Sequence, residues 1–175
     1  AWGGSSYGGE IPADVQSVLD ASAGIDTIAS NDRAFFVRTS EGANVAWGDS
    51  DLGGEIPANV QSVLDASTGI ETIASSGGYY GGGYFGGTFF VRTSEGANVV
   101  WGDSSYGGSI PADVQSVLDA SIGINTIMAT RHAFFVRTSE GANVAWGDPM
   151  NGGHIPSDVQ SVLDASTGID TIASS

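Results

Sequence analysis

Residues 35–39, FFVRT, set Phe35, Val37 and Thr39 on one side of an extended chain and Phe36 and Arg38 on the other. Aromatic and β-branched residues dominate this stretch, so it predicts a strand. Ser40, Glu41, Gly42 and Ala43 break the apolar pattern with a glycine free to take positive φ, which suits a hairpin turn. Residues 44–47 then form the returning strand, ending in WGDSDLGG, a polar surface loop whose glycines stop the sheet. In IPANVQSVLDAS the period changes. Ile56, Val60, Val63 and Leu64 fall at i, i+4, i+7 and i+8, one face of a short helix, with Pro57 in the first turn and Gly69 past its end. A fourth strand would bury the same residues and stays open as the alternative. Residues 25–30, IDTIAS, predict a further strand although Ile25 and Ile28 are unevenly spaced.

These elements recur. FFVRTSEGANV at 35–45 returns unchanged at 89–99 and 134–144, and VQSVLDAS begins at Val15, Val60, Val114 and Val159. The units open on Trp-Gly at Trp2, Trp47, Trp101 and Trp146, with spacings of 45, 54 and 45 residues. A period of this length marks a repeat architecture whose units share a continuous core, so residues 1–175 are expected to form a single repeat domain. Nine residues have been added once, within the glycine- and tyrosine-rich insert at 76–87. Four copies of the helix and of the IDTIAS-type strand stand against three of FFVRTSEGANV. An unfinished sheet leaves backbone groups unpaired at an edge. Either Ala1 and Trp2 lie beside residues 169–174 in one composite blade, or another copy supplies the missing strand and rings or filaments result.

The segments TSEGANVAWGD at 39–49, TSEGANVVWGD at 93–103 and TSEGANVAWGD at 138–148 resemble the repeat of the regulator-of-chromosome-condensation family, in which an acidic residue plus Gly precedes a short strand ending in Trp-Gly. The resemblance implies a mainly β fold, a β-propeller-like array of about four blades, each with three strands plus a short helix or a fourth strand. An open solenoid or filament-forming array is the alternative. The family's Gly-Gly-x-His-Thr/Ser segment is replaced here by Ser-Asn-Asp-Arg-Ala and Thr-Arg-His-Ala, so the chromatin and exchange-factor roles of the founding member are not carried over. Long repetitive surface proteins of bacteria carry similar Trp-Gly units, an analogy of fold that implies a soluble protein placed outside the cell or on its surface.

Twenty acidic residues face five arginines and no lysine. A field of that sign repels phosphate and anionic lipid, so nucleic acid is not an expected partner and neither is a bare membrane. No apolar run approaches the roughly twenty residues that span a bilayer, and nothing resembles a signal peptide. With no cysteine there is neither a disulfide framework nor a thiolate metal site.

No catalytic constellation repeats or converges. His132 and His154, the two histidines, each stand at a variable place in one unit, and no G-x-S-x-G motif supports a Ser-His-Asp arrangement. Asp49, Asp51, Asp103 and Asp148 offer oxygens, but their loops lack the ladder and terminal Glu of a dedicated calcium site. No carboxylate sits in the apolar context that glycosidase chemistry needs. The reading is no enzyme, no cofactor and no metal.

Specificity is instead written where the units differ: residues 5–7, 50–52, 104–106 and 149–151 after Trp-Gly; Ala23, Thr68, Ile122 and Thr167; Asp26, Glu71, Asn125 and Asp170; and the loops 31–33, 76–87 and 130–132. Drift in exposed loops after duplication explains such a pattern. So does a diversified binding face on a rigid scaffold. The insert GGYYGGGYFGG favours the second, since tyrosine with glycine is a paratope composition, and also that of self-associating segments. The expected contact residues for a protein or glycan partner are Tyr79, Tyr80, Tyr84, Phe85, Asn31, Asp32, Arg33, Arg131, His132, Met150 and Asn151. The competing readings are a structural protein that self-assembles by strand exchange between incomplete end units, and an engineered or truncated repeat scaffold.

Overall fold

A computed structural model describes residues 3–80 and 83–169, without the side chains of residues 79, 80 and 83–85. The pairing expected between residues 1–2 and 169–174 falls largely on residues outside that description.

Three units of one plan follow one another. In the first, α1 (Ala13–Ala21) precedes β1 (Ile25–Ser30), β2 (Ala34–Thr39) and β3 (Asn44–Gly48). The second comprises α2 (Ala58–Ala66), β4 (Ile70–Tyr80), β5 (Gly83–Thr93) and β6 (Asn98–Gly102), and the third α3 (Ala112–Ala120), β7 (Ile124–Ala129), β8 (Ala133–Thr138) and β9 (Asn143–Gly147). A fourth helix, α4 (Ser157–Ala165), ends the described chain. The strands form three antiparallel three-stranded sheets ordered β1-β2-β3, β4-β5-β6 and β7-β8-β9. The described residues thus hold three sheets where about four blades were expected, each accompanied by a helix and not by a fourth strand. The 3.6-residue spacing of Val60, Val63 and Leu64 prevailed over the β-branching of the two valines because the helix buries Val60 and Leu64 together.

The uneven spacing in IDTIAS has a physical cause. Ile25 pairs with Thr39 and Ile28 with Val37, with a register shift between Ile25 and Thr27. A β-bulge therefore brings both isoleucines to the side of the sheet that carries Val37. The same irregularity recurs between Ile70 and Thr72 and between Ile124 and Thr126.

The insert departs from the expected loop. Tyr79 pairs with Tyr84 and Gly78 with Phe85, so β4 and β5 run on as an antiparallel ribbon past the end of β6, whose pairing with β5 stops at Thr88. Added residues lengthened two strands. They left the sheet beneath them unchanged.

Sheets pack face to face with a helix in each joint. Phe36 of the first sheet meets Phe89 and Trp101 of the second, ring centroids 6.4 and 5.4 Å apart, and α2 contributes Val60 and Leu64 to the same core. Phe90 meets Phe134 and Trp146 at 6.4 and 5.6 Å, joined by Val114 and Leu118 of α3. Full burial of one such leucine stabilises the fold by about 1.5–3 kcal/mol.

Arg38, Arg92 and Arg137 share a strand face with Phe36, Phe90 and Phe135 and are 3 %, 2 % and 5 % exposed. Each guanidinium turns to the C-terminus of the following helix. Arg38 donates to the carbonyls of Leu64 (3.1 Å) and Ser67 (2.7 Å), Arg92 to those of Leu118 (3.1 Å) and Ser121 (2.7 Å), and Arg137 to those of Leu163 (3.3 Å) and Ser166 (2.9 Å). Asn44, Asn98 and Asn143 accept from the same side chains. A cation at the negative end of a helix satisfies carbonyls that otherwise lack partners.

Candidate functional site

Strand register divides the variable positions into two groups. Because Phe35 pairs with Trp47 and Arg38 with Asn44, the loop 31–33 and the Trp-Gly turn lie at one rim of the sheet, while the β2–β3 turn and the helix exits lie at the other.

At the first rim, the hairpin rim, Gly48 takes φ 124°, and a Cβ there would stand 2.2 Å from the Arg33 carbonyl. With no side chain in the way, the Asp49 amide donates to that carbonyl at 3.0 Å, and Asp103 and Asp148 repeat the bond to Gly87 and His132. Short 3-10 turns follow at Ser5–Tyr7, Ser50–Leu52, Ser104–Tyr106 and Pro149–Asn151. Asp49, Asp103 and Asp148 cap the last three, accepting from the amides of Asp51, Ser105 and Met150. These aspartates thus have a structural use, and among the described residues no group of three or more His, Asp or Glu is placed to hold a metal. The Asn151 amide and the Met150 backbone N–H hold the Asp148 carboxyl below its ordinary value.

The first three turns each lie on the sheet that follows. Trp47, Trp101 and Trp146 donate Nε1–H to the carbonyls of Gly8, Gly53 and Gly107 at 3.0, 3.0 and 3.1 Å. Their indoles stack on Phe35, Phe89 and Phe134 at 5.1, 5.1 and 5.0 Å. That layer sets the variable side chains of turn and loop against each other. The Arg33 guanidinium stands 4.3 Å over the Tyr7 ring and pairs with Asp49 at 2.9 Å, while Tyr106 and His132 meet at 5.2 Å. Asn31 accepts from the amides of Arg33 and Ala34 and donates to the Leu52 carbonyl, tying the loop of the first sheet to the turn leading to the second.

The β4–β5 ribbon rises from the middle of this rim. Gly86 takes φ 73°, and a Cβ on it would lie 2.1 Å from the Arg131 carbonyl; one on Gly78 would meet the Arg131 side chain at 2.6–2.8 Å. Glycine here permits ribbon and 130–132 loop to lie in contact. A narrow cleft lined by Asn31, Arg33, Leu52 and the ribbon glycines separates it from the first loop.

The structure therefore gathers Asn31, Asp32, Arg33, Arg131, His132, Met150, Asn151 and the backbone of Tyr79, Tyr80, Tyr84 and Phe85 on one rim. The side chains of those last four lie outside the described residues. His154 is not with them: it lines an apolar groove with Phe135, Ile155, Val159 and Leu163.

At the second rim, the helix-exit rim, Glu41, Glu95 and Glu140 accept from the backbone N–H of Ala23, Thr68 and Ile122, each at 2.8 Å. Those N–H groups are the largest cause holding Glu41 and Glu140 below the ordinary glutamate value, and the Thr68 hydroxyl is the largest for Glu95. Between the first and second sheets this rim opens into a polar groove of about 510 Å³ containing Asp26, Arg38, Glu41 and Asp65. The sequence reading missed the buried arginines, although three of the five arginines standing in the fixed framework was a signal.

No family model and no curated protein matches the chain. Among solved structures it is similar to Prp20p of Saccharomyces cerevisiae, studied for its binding to Gsp1p and histones, with 18% identity, TM-score 0.46, and coverage of 77% of this chain and 33% of that one. A structure of yeast RCC1 (Prp20) bound to Kap60 matches at 18% identity and TM-score 0.45, covering 77% and 32% of the two chains. Human WBSCR16 matches at 18% identity and TM-score 0.45, covering 74% and 35%. The chain spans about a third of the length of each.

Proposed function

We propose that the chain is a non-enzymatic binding module of the β-propeller-repeat kind, which presents its hairpin rim to a protein partner. One observation carries this reading: loops and turns far apart in sequence, which hold most of the differences between units although the turns at 5–7 and 104–106 are both Ser-Ser-Tyr, are set side by side by a framework that does not change, with the longest element projecting from the centre. Backbone fixed by Trp–Phe stacking beneath lowers the entropy lost when such a rim is covered. The variable side chains include arginine, histidine and tyrosine, of which arginine and tyrosine are frequent anchors at protein interfaces.

The test is selection of a displayed random-peptide library on the immobilised chain. Peptides so obtained are expected to lose binding at least 100-fold when Tyr79, Tyr80, Tyr84 and Phe85 are changed together to serine, with the thermal midpoint moved little. Undiminished binding to the quadruple variant would sink the proposal.

A second reading, self-assembly, is favoured by the face in front of α4. Phe135 is half-buried where Phe36 and Phe90 are fully buried, and Val159 and Val162 are 45 % and 71 % exposed. That face fits a further sheet of the same kind, and in a preparation of these 175 residues a second copy supplies it. Sedimentation velocity should then show mass rising with concentration, and less so after Phe135→Ser; a strict monomer at high concentration removes this reading.

A further inference from the structure

Three copies of one position differ in a way that leaves one joint closed and its neighbour open. Between the second and third sheets, Glu71 reaches across the helix-exit rim: its Oε2 accepts from Arg92 Nε at 3.0 Å and its Oε1 from the Ile124 backbone N–H at 3.4 Å. Asp26 holds the corresponding place in the first sheet, and its side chain is one methylene shorter. Its carboxylate accepts from its own neighbour, the Thr27 hydroxyl, at 3.1 Å.

Arg38 is only 3 % exposed, and four hydrogen bonds from Nη1 and Nη2 to Asn44, Leu64 and Ser67 fix its guanidinium plane. Its Nε–H donates to no described residue. By equivalence with Arg92 it points to where Glu71 would stand, which here is the groove of about 510 Å³. That N–H is open to the water of the groove, so an acceptor placed there replaces a water and gains only the difference between a charge-assisted hydrogen bond and hydration.

The rest of the lining decides what the acceptor is. Asp26, Glu41 and Asp65 bring three carboxylates, and Thr39, Ser40, Ser67 and Thr68 bring hydroxyls. An anion would satisfy Arg38 and be repelled by three acids, whereas a cation would satisfy the acids and be repelled by Arg38. A hydroxyl accepts and donates at the same atom, and the hydroxyls of one sugar ring can meet a fixed N–H donor and a carboxylate that line the same groove. We infer that this groove is a saccharide-binding site, in which one hydroxyl of a neutral pyranose accepts from Arg38 Nε and another donates to Asp26. No aromatic ring lines the groove to stack on a sugar face, so affinity is weak, roughly millimolar. The site is at the rim opposite the proposed protein-binding surface and does not depend on it.

The experiment is an amide and arginine-Nε chemical-shift titration of the 175-residue chain with the methyl α-glycosides of glucose, mannose and galactose. Saturable shifts are expected at Arg38 Nε, Glu41, Thr68 and Gly69 with at least one of them. Asp26→Glu places a carboxylate within reach of Arg38, as Glu71 does for Arg92, and should weaken that binding at least tenfold while the rest of the spectrum stays in place. Glu71→Asp should open the second joint and bring new shifts at Ile122 and Gly123. The proposal is overturned if none of the three glycosides moves these resonances, if Asp26→Glu leaves the response unchanged, or if acetate saturates the site and the glycosides do not.

Discussion

Helices α3 and α4 have nearly the same sequence, ADVQSVLDA and SDVQSVLDA, and very different surroundings. Both receive an arginine at their C-terminus, from Arg92 and Arg137. In α3 a sheet lies on either side, so Val114 is 8 % and Leu118 0 % exposed. Among the described residues α4 has only the preceding sheet beside it, and Val159 is 45 % exposed. The difference separates two contributions that sequence alone confounds. Helix formation follows from local signals, the proline entry and the seryl C-cap, and is equal in both. Burial follows from the neighbouring unit.

The largest expected consequence is in core truncation. Leu118→Ala should cost about 2–5 kcal/mol, as for a leucine packed on every side, whereas Leu163→Ala should cost less than about 1 kcal/mol. Urea unfolding of the two variants with unchanged slopes measures this, and equal losses would break the comparison by showing α4 to be packed as α3 is.

A smaller effect sharpens it at the helix exits. The Ile122 amide after α3 is held by Glu140 of the next sheet, while no glutamate meets Thr167 after α4 among the described residues. The Glu140 carboxyl titrates below its ordinary value of 4.5, chiefly because it accepts that backbone N–H. A depressed value in the folded state means that this contribution is complete above pH 4.5 and is lost as pH falls through the folded value. The Ile122 amide resonance should therefore inflect together with the Glu140 carboxyl below pH 4.5, in step with the pairs Glu41–Ala23 and Glu95–Thr68, while the Thr167 amide shows no such inflection. An Ile122 amide that ignores Glu140→Gln would refute the link.

The strands, the turn at Gly42 and the helix were legible because each carries its own period: Phe35, Val37 and Thr39 alternate, and Val60, Val63 and Leu64 recur as a helix face. The unequal spacing of Ile25 and Ile28 was visible, but a bulge adds a residue without a compositional mark, so its cause appeared only in the register. The insert was read as a loop because glycines at 77, 78, 86 and 87 depress strand propensity. An existing hairpin beneath it overrode that preference by offering ready-made pairing. That the differing positions matter more than the repeated ones was also legible. Their division between two rims was not, since it depends on which ends of the strands pair. The groove beside Arg38 was hidden for a further reason: it lies between two sheets, and Asp26 in its lining differs from its counterpart Glu71 by only one methylene.

Trp47, Trp101 and Trp146 each close a joint with a glycine of the unit before, across 39 residues for Trp47 and Trp146 and 48 for Trp101. The bond is 3.0 or 3.1 Å in all three. Nine extra residues lengthened the sequence between the partners and did not alter the joint, because they were inserted in the ribbon beyond it. A duplication or deletion of one whole period likewise returns every tryptophan to an equivalent glycine, wherever within the unit the break falls. The array can thus change its length by whole units without passing through a misfitted intermediate, and can lengthen its ribbon without changing its number of units.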